Sequence, residues 1–201
     1  SNKYVLVNDV GTTKVKGTVI DEEATIIAVA SDEISQIYPK PGWCEQDPEE
    51  IWSKSVEVSK KALEKVGAEN IRAMGLVTQR ATIILWDRKT GMPIYNAITW
   101  QDVRTTNLCE KINGETTIRL YRVLGKIVKG ISLIAKPLRG RNATKRLIQL
   151  SHFSFAPNQA APRLVWILDG VKVGREVLKR GDLFFGTVDT WLVWKYTNGE
   201  V

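Results

Sequence analysis

The apolar run Tyr4-Val5-Leu6-Val7 leads almost directly into Asp9-Val10-Gly11-Thr12-Thr13, and this junction constrains the fold more than any other stretch. A β-branched run ending in Asp-x-Gly-Thr-Thr reads as a buried strand that delivers a carboxylate into a tight turn. Gly11 is expected to permit a backbone geometry that a side chain would forbid, and to let main-chain N–H groups approach an anion. The hydroxyls of Thr12 and Thr13 add donors, and Asp9 is a hard oxygen ligand suited to Mg²⁺. A second strand from Lys14 to Asp21 carries Lys14 and Lys16 back past the same turn. These are the parts of a phosphate–Mg²⁺ site. They are also the parts of an ordinary hairpin with a polar turn, and the short motif alone leaves both readings open.

The 201 residues suffice for one good-sized core, and 43% apolar content with seven tryptophans excludes a disordered chain. No window reaches 18 consecutive apolar residues, so no membrane span or membrane partner is expected. Ser1-Asn2-Lys3 runs at once into a strand, with neither signal peptide nor initiator Met. Cys44 and Cys109 lie far apart, and His152 is the single histidine. A zinc site and a Ser-His-Asp triad are therefore poorly supported, and His152 reads as structural. Sparse cysteine without a secretory signal points to a reducing compartment, the cytoplasm.

The net charge of +7 is unevenly spread. Thr116 to Leu168 holds ten basic residues and no acidic one, leaving −3 for the rest of the chain. A local basic segment of this kind reads as solvated, so a nucleic-acid partner is not expected.

Period-two alternation predicts strands at about 3–9, 14–21 and 24–34. Asp47-Pro48-Glu49-Glu50 supplies an N-cap carboxylate and a first-turn proline. The helix it opens is predicted to run to about Val66, with Trp52, Val56, Leu63 and Val66 inward. Strands follow at Ile71–Thr78, Thr82–Trp86 and Pro93–Trp100, and a helix from Asp102 to about Asn113. The stretch 116–151 is ambiguous. Helices are predicted over 163–168 and 171–180, then a strand at 184–187 and a helix at 189–194. Hairpin strands followed by alternating helices and strands predict an α/β domain with a mixed sheet.

Several stretches, in order, resemble the FGGY carbohydrate kinases, and within them the glycerol-kinase branch. They are Asp9-Val10-Gly11-Thr12-Thr13, Tyr38-Pro39-Lys40-Pro41-Gly42-Trp43, Asp47-Pro48-Glu49-Glu50-Ile51-Trp52, Thr78-Gln79-Arg80, Trp86-Asp87-Arg88-Lys89-Thr90-Gly91, Thr99-Trp100-Gln101-Asp102 and Phe185-Gly186-Thr187-Val188-Asp189-Thr190-Trp191. The resemblance implies an actin/hexokinase-like (ribonuclease H-like) ATPase domain, its mixed sheet flanked by helices. It implies an ATP-dependent glycerol or polyol kinase that moves the γ-phosphate of ATP to a substrate hydroxyl. By position, Asp9 would hold Mg²⁺ through water, and Gly11, Thr12, Thr13 and Lys16 would grip the ATP phosphates. Arg80 and Trp100 would bind and wall the polyol, with Gln79 behind them.

Two departures stand out. Relatives of this branch follow the arginine with a glutamate that accepts from the substrate, whereas this chain has Ala81. The basic segment at about 116–160 reads as an insert, and aligning back from Trp166 puts Asn158 where a substrate-contacting tyrosine is usual. Gln79-Arg80-Ala81-Thr82 with this insert resembles a divergent animal branch. The resemblance also implies that residues 1–201 are the N-terminal half, with the general base in a C-terminal domain that this chain lacks. No catalytic residue is therefore assigned, the isolated domain is expected to be inactive, and Asp102 and Asp189 read as helix caps. The competing reading is a non-catalytic relative that binds nucleotide or a partner. Homo-oligomerisation is left open.

Overall fold

The computed structural model describes residues 3–134, 142–151 and 154–200. The chain opens with β1 (Tyr4–Val10), β2 (Lys14–Ile20) and β3 (Ile26–Glu33), paired antiparallel in series. Helix α1 (Pro48–Leu63) then crosses over, and β5 (Ile71–Thr78) returns parallel to β1. The resulting mixed sheet has the order β3-β2-β1-β5. Tight hairpins pair neighbouring strands only antiparallel; the crossover helix lets β5 lie beside β1 in the parallel sense.

Instead of extending this sheet, the later strands form a second one. Its order is β4 (Glu45–Gln46), β7 (Ala97–Ile98), β6 (Ile83–Asp87) and β8 (Leu183–Thr187), all antiparallel. The mixed sheet expected from the sequence is present, and the second, antiparallel sheet stands in addition to it. The long strand expected over 93–100 shrinks to Ala97–Ile98, and Pro93 makes only an isolated bridge to Trp86. Proline brings no N–H to a ladder. Tyr95 and Asn96 instead turn their side chains to Glu45, donating at 2.7 and 2.9 Å.

Asp47 caps α1 as expected, accepting from the Glu49 N–H. The buried stripe of α1, however, is Ile51, Ser55, Val58, Ser59 and Ala62, with Trp52, Val56, Leu63 and Val66 only partly buried. Asn8, fully buried in β1, donates to the Ser55 carbonyl and to Ser59 Oγ at 3.0 and 2.9 Å, and the Ser55 hydroxyl donates to Ile51 O at 2.7 Å. Strand and helix come very close at Gly17, where a Cβ would stand 2.8 Å from Val58 O.

The basic segment folds as α3 (Thr116–Ile134) and α4 (Asn142–Ser151), following α2 (Thr106–Gly114). Lys136, Arg139, Arg141 and His152 lie outside the described residues. Helices α5 (Ala160–Gly170), α6 (Lys172–Lys179) and α7 (Val188–Tyr196) complete the chain. The main core joins β1, β2, α1, β6 and α7 through Val10, Val15, Ile51, Val58, Trp86 and Trp191. Among the described residues no helix is long and apolar enough to cross a membrane.

Candidate functional site

The end of β1, the loop after β5 and the turn after β7 meet around one open cleft of about 600 Å³. It is lined by Asp9, Gly11 and Thr12 from the turn, by Thr78, Gln79, Arg80 and Ala81 from the end of β5 and the loop after it, and by Trp100 and Asn158. A second groove of about 330 Å³ shares Asp9, Gly11 and Thr12 and adds Thr13, Lys14 and Lys16. The turn therefore stands between two grooves. All ten residues singled out from the sequence fall on one or both of them.

The turn is built by β1–β2 pairing. Asp9 lies opposite Lys16 in the ladder, and the Gly11 N–H donates to Lys14 O at 3.0 Å. Gly11 is not in the left-handed region, which corrects the reason given for it above. Its constraint is space: a Cβ would sit 3.2 Å from Lys14 O. Asp9 and Thr13 are exposed, so their polar groups are open to an incoming ligand. One exposed carboxylate with neighbouring hydroxyls suits a Mg²⁺ that keeps most of its waters. Among the described residues no three His, Cys, Asp or Glu side chains form a protein-only cage.

A closed ring of hydrogen bonds underlies the cleft. Trp100 Nε1 donates to Thr12 Oγ1 at 3.0 Å, and Gln46 Nε2 donates to Thr12 O at 2.7 Å. Gln79 Nε2 donates to Gln46 Oε1 at 2.7 Å, and Thr82 Oγ1 donates to Gln79 Oε1 at 2.9 Å. The Trp100 N–H donates to Thr82 Oγ1 at 3.3 Å and closes the circuit. Gln46, Gln79 and Thr82 are buried, so each polar group here needs the partner it has. Gln46 carried no signal in the sequence, because the two-residue strand that holds it is too short to show a period.

Arg80 is exposed over the cleft, and Trp100 shows about half its surface (48%). Ala81 holds a left-handed backbone at φ 62°, unusual for a residue with a Cβ. Its carbonyl accepts from Arg163 Nη1 at 2.5 Å. Arg163 is fully buried in the first half of α5, not one of the solvated cations counted above. A lone arginine inside Pro162-Arg163-Leu164-Val165-Trp166-Ile167 was the available signal. Burial pulls its pKa down to about 10, with nearby Asp102 opposing.

Asp102 caps no helix. It is buried and accepts from the Cys44 N–H at 2.7 Å, while α2 starts only at Thr106. Arg104 binds Asp102 at 2.7 Å and Glu45 at 2.8 Å, with its guanidinium 3.9 Å from the Trp43 ring centroid. A buried cation between two carboxylates is spent on structure, which removes both acids from the candidate catalytic groups. Asp189 likewise caps no backbone N–H; it sits in the first turn of α7 and accepts from the Thr187 hydroxyl.

Residues 4–133 match the N-terminal domain of the FGGY family of carbohydrate kinases. The chain belongs to that family. Among its relatives, the glycerol kinase of Klebsiella pneumoniae is 40% identical over 201 residues, covering 99% of this chain and 35% of that protein. Glycerol kinase 2 of Thermotoga maritima gives the same identity and coverage. Among solved structures, Plasmodium falciparum glycerol kinase with ADP superposes with a TM-score of 0.76 at 24% identity, over 98% of this chain and 34% of that one. Gluconate kinase from Lactobacillus acidophilus superposes at 0.69 with 19% identity, over 96% and 33% of the two chains. The fold is the actin/hexokinase-like one expected. This FGGY chain spans about a third of the length of the curated relatives it matches.

Proposed function

We propose that this chain is the acceptor-binding, N-terminal part of an ATP-dependent polyol or sugar kinase. The observation that carries the reading is the meeting, in one cleft, of the Asp9–Thr13 turn with Arg80 and Trp100. Phosphoryl transfer asks a protein mainly to position phosphates and neutralise their charge. Gly11, Thr12, Thr13 and Lys16 supply donors and charge for the nucleotide phosphates, and Asp9 supplies a carboxylate for hydrated Mg²⁺. Arg80 and Asn158 offer hydrogen bonds to acceptor hydroxyls, and the Trp100 face covers the carbon skeleton. Gln79 works from behind, through Gln46 and Thr82. The general base and the adenine site belong to a second domain, as the one-third coverage of the relatives supports, and the setting is cytoplasmic.

Ala81 bears on the acceptor. A methyl group accepts no hydrogen bond, so an acceptor hydroxyl facing it would lose roughly 1–3 kcal/mol if left unpaired. The test is a phosphate-acceptor panel of polyols and sugars on the full-length protein with ATP and Mg²⁺, with and without Ala81→Glu. Acceptor-dependent ADP formation is expected, and Ala81→Glu should move the preference toward glycerol. Mg²⁺-dependent nucleotide binding with no transfer to any acceptor would replace this reading with the non-catalytic one.

A further inference from the structure

Arg163 stands out as a charged group that the proposed chemistry does not use. It is 0% exposed, yet makes no ion pair with a carboxylate among the described residues. It spends its charge on main-chain carbonyls: Nη1 to Ala81 O at 2.5 Å, and Nη2 to Trp100 O at 3.1 Å and Asp102 O at 3.3 Å. Its Nε has no partner among the described residues. It also lies in the N-terminal half of α5, near the end where the helix dipole disfavours a cation. A buried cation with such costs persists where something else depends on it.

What depends on it lies in the carbonyls it collects. Ala81 and Trp100 sit on two separate loops that both line the cleft. Residues 79–82 turn there with Ala81 at φ 62°, a conformation that needs outside support. Among the described residues, those loops are joined directly by the 3.3 Å bond from the Trp100 N–H to Thr82 Oγ1, next to the Ile83–Ile98 pair of β6 and β7. Arg163 reaches both loops from behind with a planar fork, a geometry that lysine cannot reproduce.

We propose that Arg163 is a positioning residue for the acceptor pocket, clamping the Ala81 and Trp100 loops at a fixed separation without touching the substrate. The inference rests on the proposed kinase reading for its kinetic consequence, but not for its structural one. Losing the clamp lets Arg80 and the Trp100 ring drift apart. The phosphate-binding turn, held by the β1–β2 ladder, stays in place.

The test compares wild-type, Arg163→Lys and Arg163→Met in the full-length protein. The acceptor KM should rise about tenfold or more in Arg163→Met and less in Arg163→Lys, with the nucleotide Kd within about twofold of wild-type. A merely structural role would lower the active fraction, and so kcat, in step with lost thermal stability and leave KM unchanged; that pattern overturns the proposal. Amide exchange in segments 79–83 and 99–104, read by mass spectrometry, needs no turnover and keeps the two readings apart. Faster exchange confined to those segments in Arg163→Met supports the clamp even if the wild-type protein phosphorylates nothing. Unchanged exchange there, or a uniform increase over the whole chain, overturns it.

Discussion

Trp100 Nε1 donates a 3.0 Å hydrogen bond to Thr12 Oγ1, joining residues 88 positions apart across the cleft. The ring that would wall an acceptor is thereby tied to the turn that would hold phosphate. Gln46, Gln79 and Thr82 complete the circuit from below. The link is between side chains, whereas the main chain of the turn is held independently by the β1–β2 ladder and the Gly11 to Lys14 bond.

That circuit should show up as non-additivity. Gln46→Leu and Gln79→Leu each leave a buried amide unpaired, and each should cost about 1–3 kcal/mol in urea unfolding. The double variant removes both ends of the bond and should cost less than the sum by about 1 kcal/mol. Strictly additive losses would mean the glutamines act independently.

Ala81 carries a conformation that glycine adopts freely. The left-handed region costs an L-residue about 1–2 kcal/mol, so Ala81→Gly should raise the urea midpoint by an amount corresponding to about 1 kcal/mol. A lowered midpoint would show that the Cβ makes contacts worth more than the strain.

Arg104 separates two buried acids. Arg104→Met should destabilise by about 3–5 kcal/mol, because Glu45 and Asp102 are left facing each other without a cation. Adding Asp102→Asn to that variant should recover part of the loss. Calorimetry showing no recovery would place the cost in lost stacking on Trp43 instead.

Asp182 gives a pH dependence with a definite sign. Lys89 and then Arg180 hold its carboxyl below the ordinary value of 3.8. A carboxyl whose folded-state pKa is depressed binds fewer protons folded than unfolded. Its contribution is therefore complete above that ordinary value and fades as pH falls through the folded-state value. Asp182→Asn should lower stability at neutral pH and flatten its decline below about pH 4. An unchanged acid profile in that variant would show that the group contributes nothing through linkage.

Much of this architecture was legible in the sequence, for identifiable reasons. Strands β1, β2, β3 and β5 announced themselves through alternation, and α1 through its Asp47-Pro48 start. The residues on the cleft came from motifs that are local in the chain, such as Asp9–Thr13 and Gln79-Arg80. What escaped was non-local. Glu45 and Gln46 sit in a strand of two residues, which no periodicity can flag. Asp102 looked like a cap because it precedes a helix, but its carboxylate is claimed by Cys44 and Arg104. Arg163 looked solvated because charge is usually exposed, and only three carbonyls from two distant loops show why it is not. The 93–100 stretch gave only a two-residue strand, with Pro93 in an isolated bridge and the Tyr95 and Asn96 side chains turned to Glu45.

The Asn8 amide donates to Tyr196 OH at 3.2 Å, 188 positions away, besides its bonds to α1. During synthesis the first strand leaves the ribosome long before that tyrosine is made. At about 5–20 residues per second the wait is on the order of ten seconds or more. Through that interval the opening hairpin carries a core amide short of one partner, and the apolar surface that α7 covers is bare. This domain's core therefore stays open to chaperones and to misassociation until α7 emerges.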